Sequence, residues 1–399
     1  MSGFEIRPAT AEEMPEFTRQ AARQIALPPA MLAGMPPEWT LAAFVDGQIA
    51  TTYAWWPLQL RLAGRAVRVA GVTQVSTHPA HRRRGYLRAV TRRHFETMHE
   101  RGEEAFAGLH PAWMAIYQRF GYGSVTGRHT YRVAPRDIRF HHPLSTPGRV
   151  REIDPAAEFG VLVDIYRRYR EDRTALVHRG RAMWFAGALQ DPPAGQQRVV
   201  LVYEEAGLAL GYVIYSHGRE ANGARRLRIT DFFALSQHAH QALWSILGGY
   251  DNVDDILWDN APPDDPLPLM LTEPRLLNQT VRDGIMIRVV SAEAALAHRP
   301  YASATELRFR LRDDFCPWND GLWRLATSPE GGRVASADGG AVDFTLTPDT
   351  LAALMFGRYS ASTAHHAGLL DGHPAPDVLR RWDEALRLDH PPHEAEHTW

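Results

Sequence analysis

The first third of the chain combines strand-like and helix-like patterns of apolar residues. Four segments rich in β-branched and aromatic side chains are predicted to be strands: Phe4–Arg7, Leu41–Val45, Gln48–Leu62 and Ala66–Val75. After Gly85 the apolar residues recur at helical spacing as far as about Arg101, and another short strand is predicted at Ala105–Leu109. This order of strand, glycine-containing loop, helix and strand is a βαβ-like unit with a candidate anion-binding loop where the helix starts.

Changes in proline, glycine and charge divide the rest of the chain into two more regions. In the region of about 140–290, the pattern predicts helices at Ala157–Tyr169 and His238–Gly248 and strands at Arg198–Tyr203, Gly211–Ser216 and Arg226–Ala234. The last region, 291–399, alternates short strands and helices and ends in a polar tail from His390. Because 399 residues are too many for one ordinary core, we expect an α/β protein of two or three domains.

Composition excludes some classes of protein. The 44 basic and 46 acidic side chains nearly balance, so no global charge favours nucleic acid or an anionic membrane as a partner. The amino terminus has no signal-peptide pattern, no apolar run reaches the length of a membrane span, and Cys316 stands alone. We therefore expect a cytoplasmic protein without an intrachain disulfide. We also expect no metal site, because the His141-His142 and His365-His366 pairs have no further ligands at suitable spacing.

The run Arg82-Arg83-Arg84-Gly85 carries the candidate chemistry of the first region. A helix amino terminus offers unpaired N–H groups and the positive end of the helix dipole. A glycine there lets the backbone approach a bulky anion, and guanidinium groups suit phosphate oxygens. An isolated run of this kind is more often a solvated basic loop. The strand before it and the amphipathic helix after it favour a pyrophosphate site instead.

The segment from Val75 through Thr77, Pro79 and Arg82–Gly85 to Tyr86 and Leu87 resembles motif A of the GNAT acetyltransferases. The resemblance implies that acetyl-CoA is the co-substrate. It also implies that the backbone at Val75 and Thr77 pairs with the pantetheine arm, and that the loop arginines, Gly85 and the amides of Tyr86 and Leu87 hold the pyrophosphate. Many GNAT members have glycine or alanine where this chain has Leu87.

Further motifs resemble the Eis (enhanced intracellular survival) branch of these acetyltransferases. They are Gly108-Leu-His110, Ile116–Gly123, Asp265–Pro268 with Leu271-Thr272 and Arg275-Leu276, and Ser360–Thr363 after Phe356-Gly357. The resemblance implies two fused GNAT folds, 1–138 with the acetyl-CoA site and 139–290 without a cofactor loop, and then a sterol-carrier-like domain at 291–399. It also implies a homohexamer that acetylates a small-molecule amine, aminoglycosides among them, or lysine side chains.

Three groups are candidates for proton transfer. Tyr117 occupies the position of the general acid by resemblance, although its spacing alone is more typical of an aromatic core residue of a helix. The resemblance assigns the general base to the terminal carboxylate, here that of Trp399, docked in the active site of the first domain. His110, at the end of a strand, is an alternative base with a suitable ordinary pKa, and a histidine bonded within the core is an equally good interpretation.

Other motifs in the sequence are expected to have ordinary structural roles. We interpret His178–Arg181 as a solvated turn, Cys316 as a packing residue and the Tyr53, Trp55 and Trp56 cluster as strand packing more often than pocket lining. Two non-catalytic functions remain open as alternatives. One is a lipid-binding module centred on the third domain, which co-purifying lipid would support. The other is a regulatory subunit that binds acyl-CoA without turnover.

Overall fold

The computed structural model describes residues 3–25, 32–145, 147–220, 223–337 and 339–396. The described residues pack into two units. The first unit contains the chain up to Val125 and Ile285–Leu388, and the second contains Thr126–Gly284 and the residues from Asp389 to Glu396. The chain therefore leaves the first unit at Thr126, returns at Ile285 and leaves again at Asp389. The division into three domains at residues 138 and 290 stays a prediction.

The helices and strands are numbered in chain order. The strands are β1 (Phe4–Arg7), β2 (Thr40–Val45), β3 (Gln48–Leu62), β4 (Arg65–Thr77), β5 (Phe106–Leu109), β6 (Gly123–Ser124), β7 (Gly127–Val133), β8 (Arg149–Glu152), β9 (Gln197–Glu205), β10 (Leu208–Arg219), β11 (Arg225–Ala234), β12 (Asp255–Ala261), β13 (Thr280–Asp283), β14 (Met286–Val289), β15 (Thr305–Leu311), β16 (Gly321–Ser328), β17 (Gly331–Ser336) and β18 (Phe344–Leu346). The helices are α1 (Met14–Ile25), α2 (Tyr86–Arg101), α3 (Met114–Gln118), α4 (Phe159–Tyr169), α5 (Arg181–Ala186), α6 (Gln237–Gly248), α7 (Leu267–Met270), α8 (Ala292–His298), α9 (Pro348–Met355), α10 (Ala361–His366) and α11 (Pro376–Leu386).

The larger sheet of the first unit is covered on both faces. Its strand order is β1-β2-β3-β4-β5-β14-β6, with β4 and β5 parallel. Successive side chains of a strand point to opposite faces. Tyr53 and Trp55 of β3 accordingly join the core that contains Phe95 of α2, whereas Ala54 joins the core that contains Phe17 of α1. The packing role expected for Tyr53 and Trp55 is confirmed, since both are buried.

The C-terminal part of the first unit packs against the same sheet. Its own sheet has the order β17-β16-β15-β18. Helix α9 lies close to β14 and β6, and a Cβ added at Gly123 would clash with the Asp349 carbonyl. Arg288 of β14 is fully buried and donates to both carboxylate oxygens of Asp313, at 2.7 and 2.6 Å. This buried ion pair joins the larger sheet to the loop before β16.

The sheet of the second unit repeats this two-faced arrangement. Its order is β13-β7-β12-β11-β10-β9-β8, and β11 and β12 are parallel. On β10, Val213 faces the core built around α6, and Tyr212 and Ile214 face the core that contains Leu162 of α4 and Trp184 of α5. The chain is therefore α/β throughout, with mixed and mostly antiparallel sheets, as the sequence pattern predicts.

Several local predictions can be compared with these elements. The predicted strands at β1 and β3 and the helix after Gly85 are confirmed. The interpretation of His178–Arg181 as a solvated turn is wrong, because the Arg179 side chain is 1% exposed and pairs with Asp231. In the described part of the chain, no helix is long and apolar enough to cross a membrane.

Candidate functional site

The parallel strands β4 and β5 separate partway along their length. Their ladder pairs Val69–Gly71 with Phe106–Gly108, and among the described residues β4 continues to Thr77 without a partner on that side. A bulge at Gln74, which has a φ of 52°, interrupts the ladder between β3 and β4 before this end. Bulges increase the local twist of a strand. The carboxyl end of β4, with Val75 and Thr77, therefore borders an opening in the sheet.

The loop after β4 presents backbone N–H groups at the start of α2. Gly85 is the N-cap residue at a φ of 83°, and as a glycine it has no side chain to occupy the amides that follow. The first helical bond of this turn is from the Ala89 N–H to the Gly85 carbonyl, 3.0 Å. The N–H groups before Ala89 have no partner within the helix by geometry. A Cβ added at Gly85 would meet no atom within 4 Å, so the space in front of these amides is open.

The three loop arginines differ in their surroundings. Arg82 donates to the Thr77 carbonyl at 3.2 Å and to Gln24 Oε1 at 2.7 Å, so it fixes the loop to β4 and α1. Arg83 and Arg84 are exposed, and Arg83 has a φ of 62°. The guanidinium groups of Arg83 and Arg84 are therefore accessible to an anion, while Arg82 also has a structural role that its position in the motif did not indicate.

Tyr117 lies at the end of the short helix α3. Its ring is 5.9 Å from that of Tyr122 at an interplanar angle of 71°, and it packs against the same core as Val75, Tyr86 and Leu87. Burial raises the pKa of its phenol to about 12. The hydroxyl is therefore protonated at neutral pH and can donate a hydrogen bond. The Tyr117 ring, Val75 at the end of β4, and Tyr86 and Leu87 in the first turn of α2 pack against one common core.

A buried polar pair lies in the same core and was not predicted. The Tyr53 hydroxyl and His94 Nδ1 share a hydrogen bond of 2.9 Å, and both side chains are buried. Burial lowers the pKa of His94 to about 3, so the imidazole is neutral. The signal in the sequence was a histidine at a position of the α2 pattern that faces the sheet. A neutral pair without charge holds β3 to α2 and does not itself supply a base at neutral pH.

Of the two candidate bases, His110 lies among the described residues. His110 follows β5 and is half-buried. Trp399 lies outside the described residues, which end at Glu396. Within the described ranges, no three histidine, cysteine or acidic side chains come together as a metal site would require.

Comparisons with protein families agree with this geometry. Residues 5–125 match a model described as an acetyltransferase (GNAT) domain, and residues 175–289 match a second one of the same description. Residues 292–394 match a sterol carrier protein domain. The first match contains the open strand pair, the loop and Tyr117.

Relatives cover most of the chain. The N-acetyltransferase Eis of Mycobacterium tuberculosis is 31% identical over 344 residues, which is 84% of this chain and 82% of the relative. An uncharacterized N-acetyltransferase of Streptomyces avermitilis is 32% identical over 314 residues, 76% of each chain. The crystal structure of Eis1 from Mycobacterium abscessus has a TM-score of 0.84 and 28% identity, and the match covers 98% of this chain and 99% of Eis1.

These matches follow one another along the chain in the same order as the three sheets described above. Two consecutive GNAT matches followed by a sterol carrier match reproduce the organisation that the motifs imply. The identity to Eis extends over all three parts. The chain therefore belongs to the GNAT acetyltransferases, as an N-acetyltransferase of the Eis type with a C-terminal sterol-carrier-like domain.

Proposed function

We propose that this enzyme transfers the acetyl group of acetyl-CoA directly to the primary amine of a small cationic molecule, aminoglycosides included, or of a lysine side chain. The observation that carries the proposal is that one core is shared by the open end of β4, the uncapped first turn of α2 and Tyr117, whose phenol is protonated. An acyl thioester, its pyrophosphate and a departing thiolate need these three elements.

The donor site would be held mainly by backbone groups. Val75 and Thr77 offer main-chain groups along the unpaired side of β4, where an extended pantetheine arm could add as a strand would. The amides of Tyr86 and Leu87, with the charges of Arg83 and Arg84, suit the pyrophosphate. Arg82 contributes by keeping the loop in place.

Replacing Gly85 by alanine should weaken acetyl-CoA binding about tenfold, or about 1.4 kcal/mol. A residue with a Cβ at this φ costs about 1–2 kcal/mol, and the loop can escape that cost only by turning its amides away from the pyrophosphate. Calorimetric titration with acetyl-CoA measures the loss. Gly102→Ala is the matched control, since Gly102 caps the other end of α2 at a φ of 66° in open space. Equal losses of affinity in both variants would contradict a phosphate-binding role for the first turn.

The proposed chemistry assigns one proton transfer to a side chain and one to the terminal carboxylate of this protein. The amine nitrogen forms a bond to the carbonyl carbon of the thioester, the carbon–sulfur bond breaks, and the amine gives up a proton. The phenol of Tyr117 donates to the departing sulfur, and its high pKa means that the proton moves only as charge builds up there. The terminal carboxylate of Trp399 accepts the amine proton.

The assignment of the base can be tested with a chain extended by one glycine past Trp399. Thiol release from acetyl-CoA would be measured with a panel of aminoglycosides and lysine peptides. We expect the extension to lower kcat at least about 100-fold, a typical contribution of a positioned base. Trp399→Phe, which keeps the carboxylate in place, should retain most of the rate.

The possible outcomes separate the competing functions. If the extended chain keeps the full rate, the terminal carboxylate is not the base, and His110 or a water molecule takes that role. If the unmodified enzyme binds CoA but releases no thiol with any amine, a non-catalytic function in acyl-CoA or lipid binding replaces the proposed one. The homohexameric state and the three-domain division at residues 138 and 290 are proposals as well, and light scattering would test the first of them.

A further inference from the structure

The second unit contains an open pair of parallel strands like the pair that forms the donor site. Strands β11 and β12 pair through Arg226–Ile229 and Asp255–Trp258, and their parallel ladder ends there. Asp231 on β11 and Asn260 on β12 come just past the last pair. In the first GNAT domain, the equivalent opening between β4 and β5 is the proposed place of the pantetheine arm.

In the second unit, the C-terminal segment of the chain lies against both strands past this point. The Asn260 side-chain N–H donates to the Ala395 carbonyl at 2.9 Å, and the Asn260 carbonyl and His393 Nε2 are 3.1 Å apart. The rings of Phe233 and His393 are 6.5 Å apart, and the His393 N–H donates to the Thr174 carbonyl at 3.0 Å. We define the tail as residues 390–396. Its last four residues are buried, although the sequence there is polar.

Arg179 holds the end of the tail from within the core. Its Nε donates to Glu396 Oε1 at 2.6 Å, and its terminal nitrogens donate to the two Asp231 oxygens at 2.5 and 3.2 Å. Its guanidinium carbon lies 4.1 Å from the centre of the Tyr166 ring and 4.7 Å from that of Trp184. One buried arginine thus links a strand next to the opening with a carboxylate of the tail.

Arg128 provides a second link from β7. Its terminal nitrogen donates to Glu394 Oε1 and to the Glu396 carbonyl, both at 2.8 Å. Docking of the tail takes the carboxylates of Glu394 and Glu396 out of water. This burial raises the pKa of Glu394 to about 7 and also raises the pKa of Glu396. Taking charged groups out of water is costly, and apolar side chains would stabilise a docked tail at least as well. Paired charges, unlike apolar contacts, define one register of the tail.

Register matters for the proposed base, which is the terminal carboxylate of Trp399. Trp399 is three residues past Glu396, and three residues reach at most about 10 Å. A free chain end would otherwise be poorly ordered.

We propose that the open strand pair of the second GNAT domain is a receptor for the chain's own C-terminal tail, and that Arg179 and Arg128 are positioning residues for the groups that follow Glu396. The docking of the tail does not depend on the proposed function. The positioning role rests on it, since it concerns the terminal carboxylate.

The test uses the full chain with Glu396→Gln, which removes one charge at nearly constant volume and leaves Arg179 paired with Asp231. We expect amide hydrogen exchange of the tail, with the His393 N–H as the central probe, to become about tenfold faster or more. We also expect kcat to fall about tenfold while the KM for acetyl-CoA stays within about twofold, because the donor site is untouched. Glu158→Gln is the matched control. Glu158 pairs with both terminal nitrogens of Arg151 in the same unit but lies away from the tail, so all three quantities should stay unchanged.

Two single-glycine insertions separate positioning from stability. An insertion between Glu396 and His397 moves the chain end relative to the anchor and should lower kcat about tenfold or more. An insertion between Leu388 and Asp389, before the tail, should leave kcat nearly unchanged, because the ion pairs restore the register.

Each result decides one part of the proposal. Unchanged tail exchange in Glu396→Gln would overturn the receptor. Faster exchange with an unchanged kcat would overturn the positioning role and leave the receptor standing. If the chain extended past Trp399 is also fully active in that case, the base assignment has failed as well. If the extended chain is inactive, only the role of the two arginines has failed.

Discussion

Tyr117→Phe should lower kcat by about 100- to 10,000-fold, the usual contribution of a positioned acid. Phenylalanine keeps the ring, which packs in the core of the first unit at 5.9 Å from Tyr122. Only the hydroxyl is lost, so stability and the affinity for acetyl-CoA should change little. With a phenol pKa of about 12, the acid stays protonated at neutral pH, and kcat should show no loss of the acid on raising the pH from 7 to 10.

Tyr122→Phe is the control for this prediction. Tyr122 is a tyrosine of the same core, and burial also raises the pKa of its phenol. It lies further inside than Tyr117, since the residue is only 1% exposed. Its replacement should leave kcat within about threefold of the unmodified enzyme if its hydroxyl donates no proton to the reaction. Equal losses of kcat in the two variants would show that packing, and not an acid, explains the effect at Tyr117.

Arg288→Leu should destabilise the first unit by about 3–5 kcal/mol, because it leaves the Asp313 carboxylate buried without its counter-ion. For a unit of this size we expect a fall in Tm of about 6–20 °C. Calorimetric unfolding measures it. Asp313 also accepts hydrogen bonds from the Phe315, Cys316 and Asn319 N–H groups. Loss of its arginine partner would therefore also disturb these bonds and the loop that packs on α2.

Arg310→Leu is the matched control for Arg288→Leu. Arg310 pairs with Asp320 at 3.6 Å in the same unit, but both side chains are largely exposed, and exposed pairs contribute little. Its replacement should leave Tm nearly unchanged. If both variants lowered Tm equally, removal of any arginine from this unit, and not burial of the Asp313 charge, would explain the loss.

Local patterns were sufficient to predict the strand, the loop and the helix that form the proposed donor site. Helix α2 begins and ends where the sequence places Gly85 and Gly102, since a glycine with a positive φ marks each end and apolar residues recur on one face between them. The strand before the loop and the short helix with Tyr117 are equally local. These elements depend on residues close in sequence, and the family resemblance added the chemistry.

The features that the sequence pattern did not predict correctly depend on residues in distant parts of the chain. Arg179 reads as solvated because its neighbours His178, Gly180 and Arg181 are polar or small, but its partners Asp231 and Glu396 are 52 and 217 positions away. Strand β14 is a similar case. It follows the second sheet in sequence, yet it pairs with β5 and β6 of the first. No periodicity within one segment contains information about such pairings.

The single thiol of the protein lies next to the buried ion pair of Arg288 and Asp313 and can be used to follow the opening of this region. Cys316 is fully buried, and burial raises the pKa of its thiol to about 11. Because the thiolate is the form that attacks thiol reagents, the folded enzyme should contribute almost no background when released CoA is titrated with such a reagent. The slow labelling rate of Cys316 then measures local opening. It reports how often the loop from Asp313 to Asp320 separates from the sheet, and no probe has to be introduced into the protein.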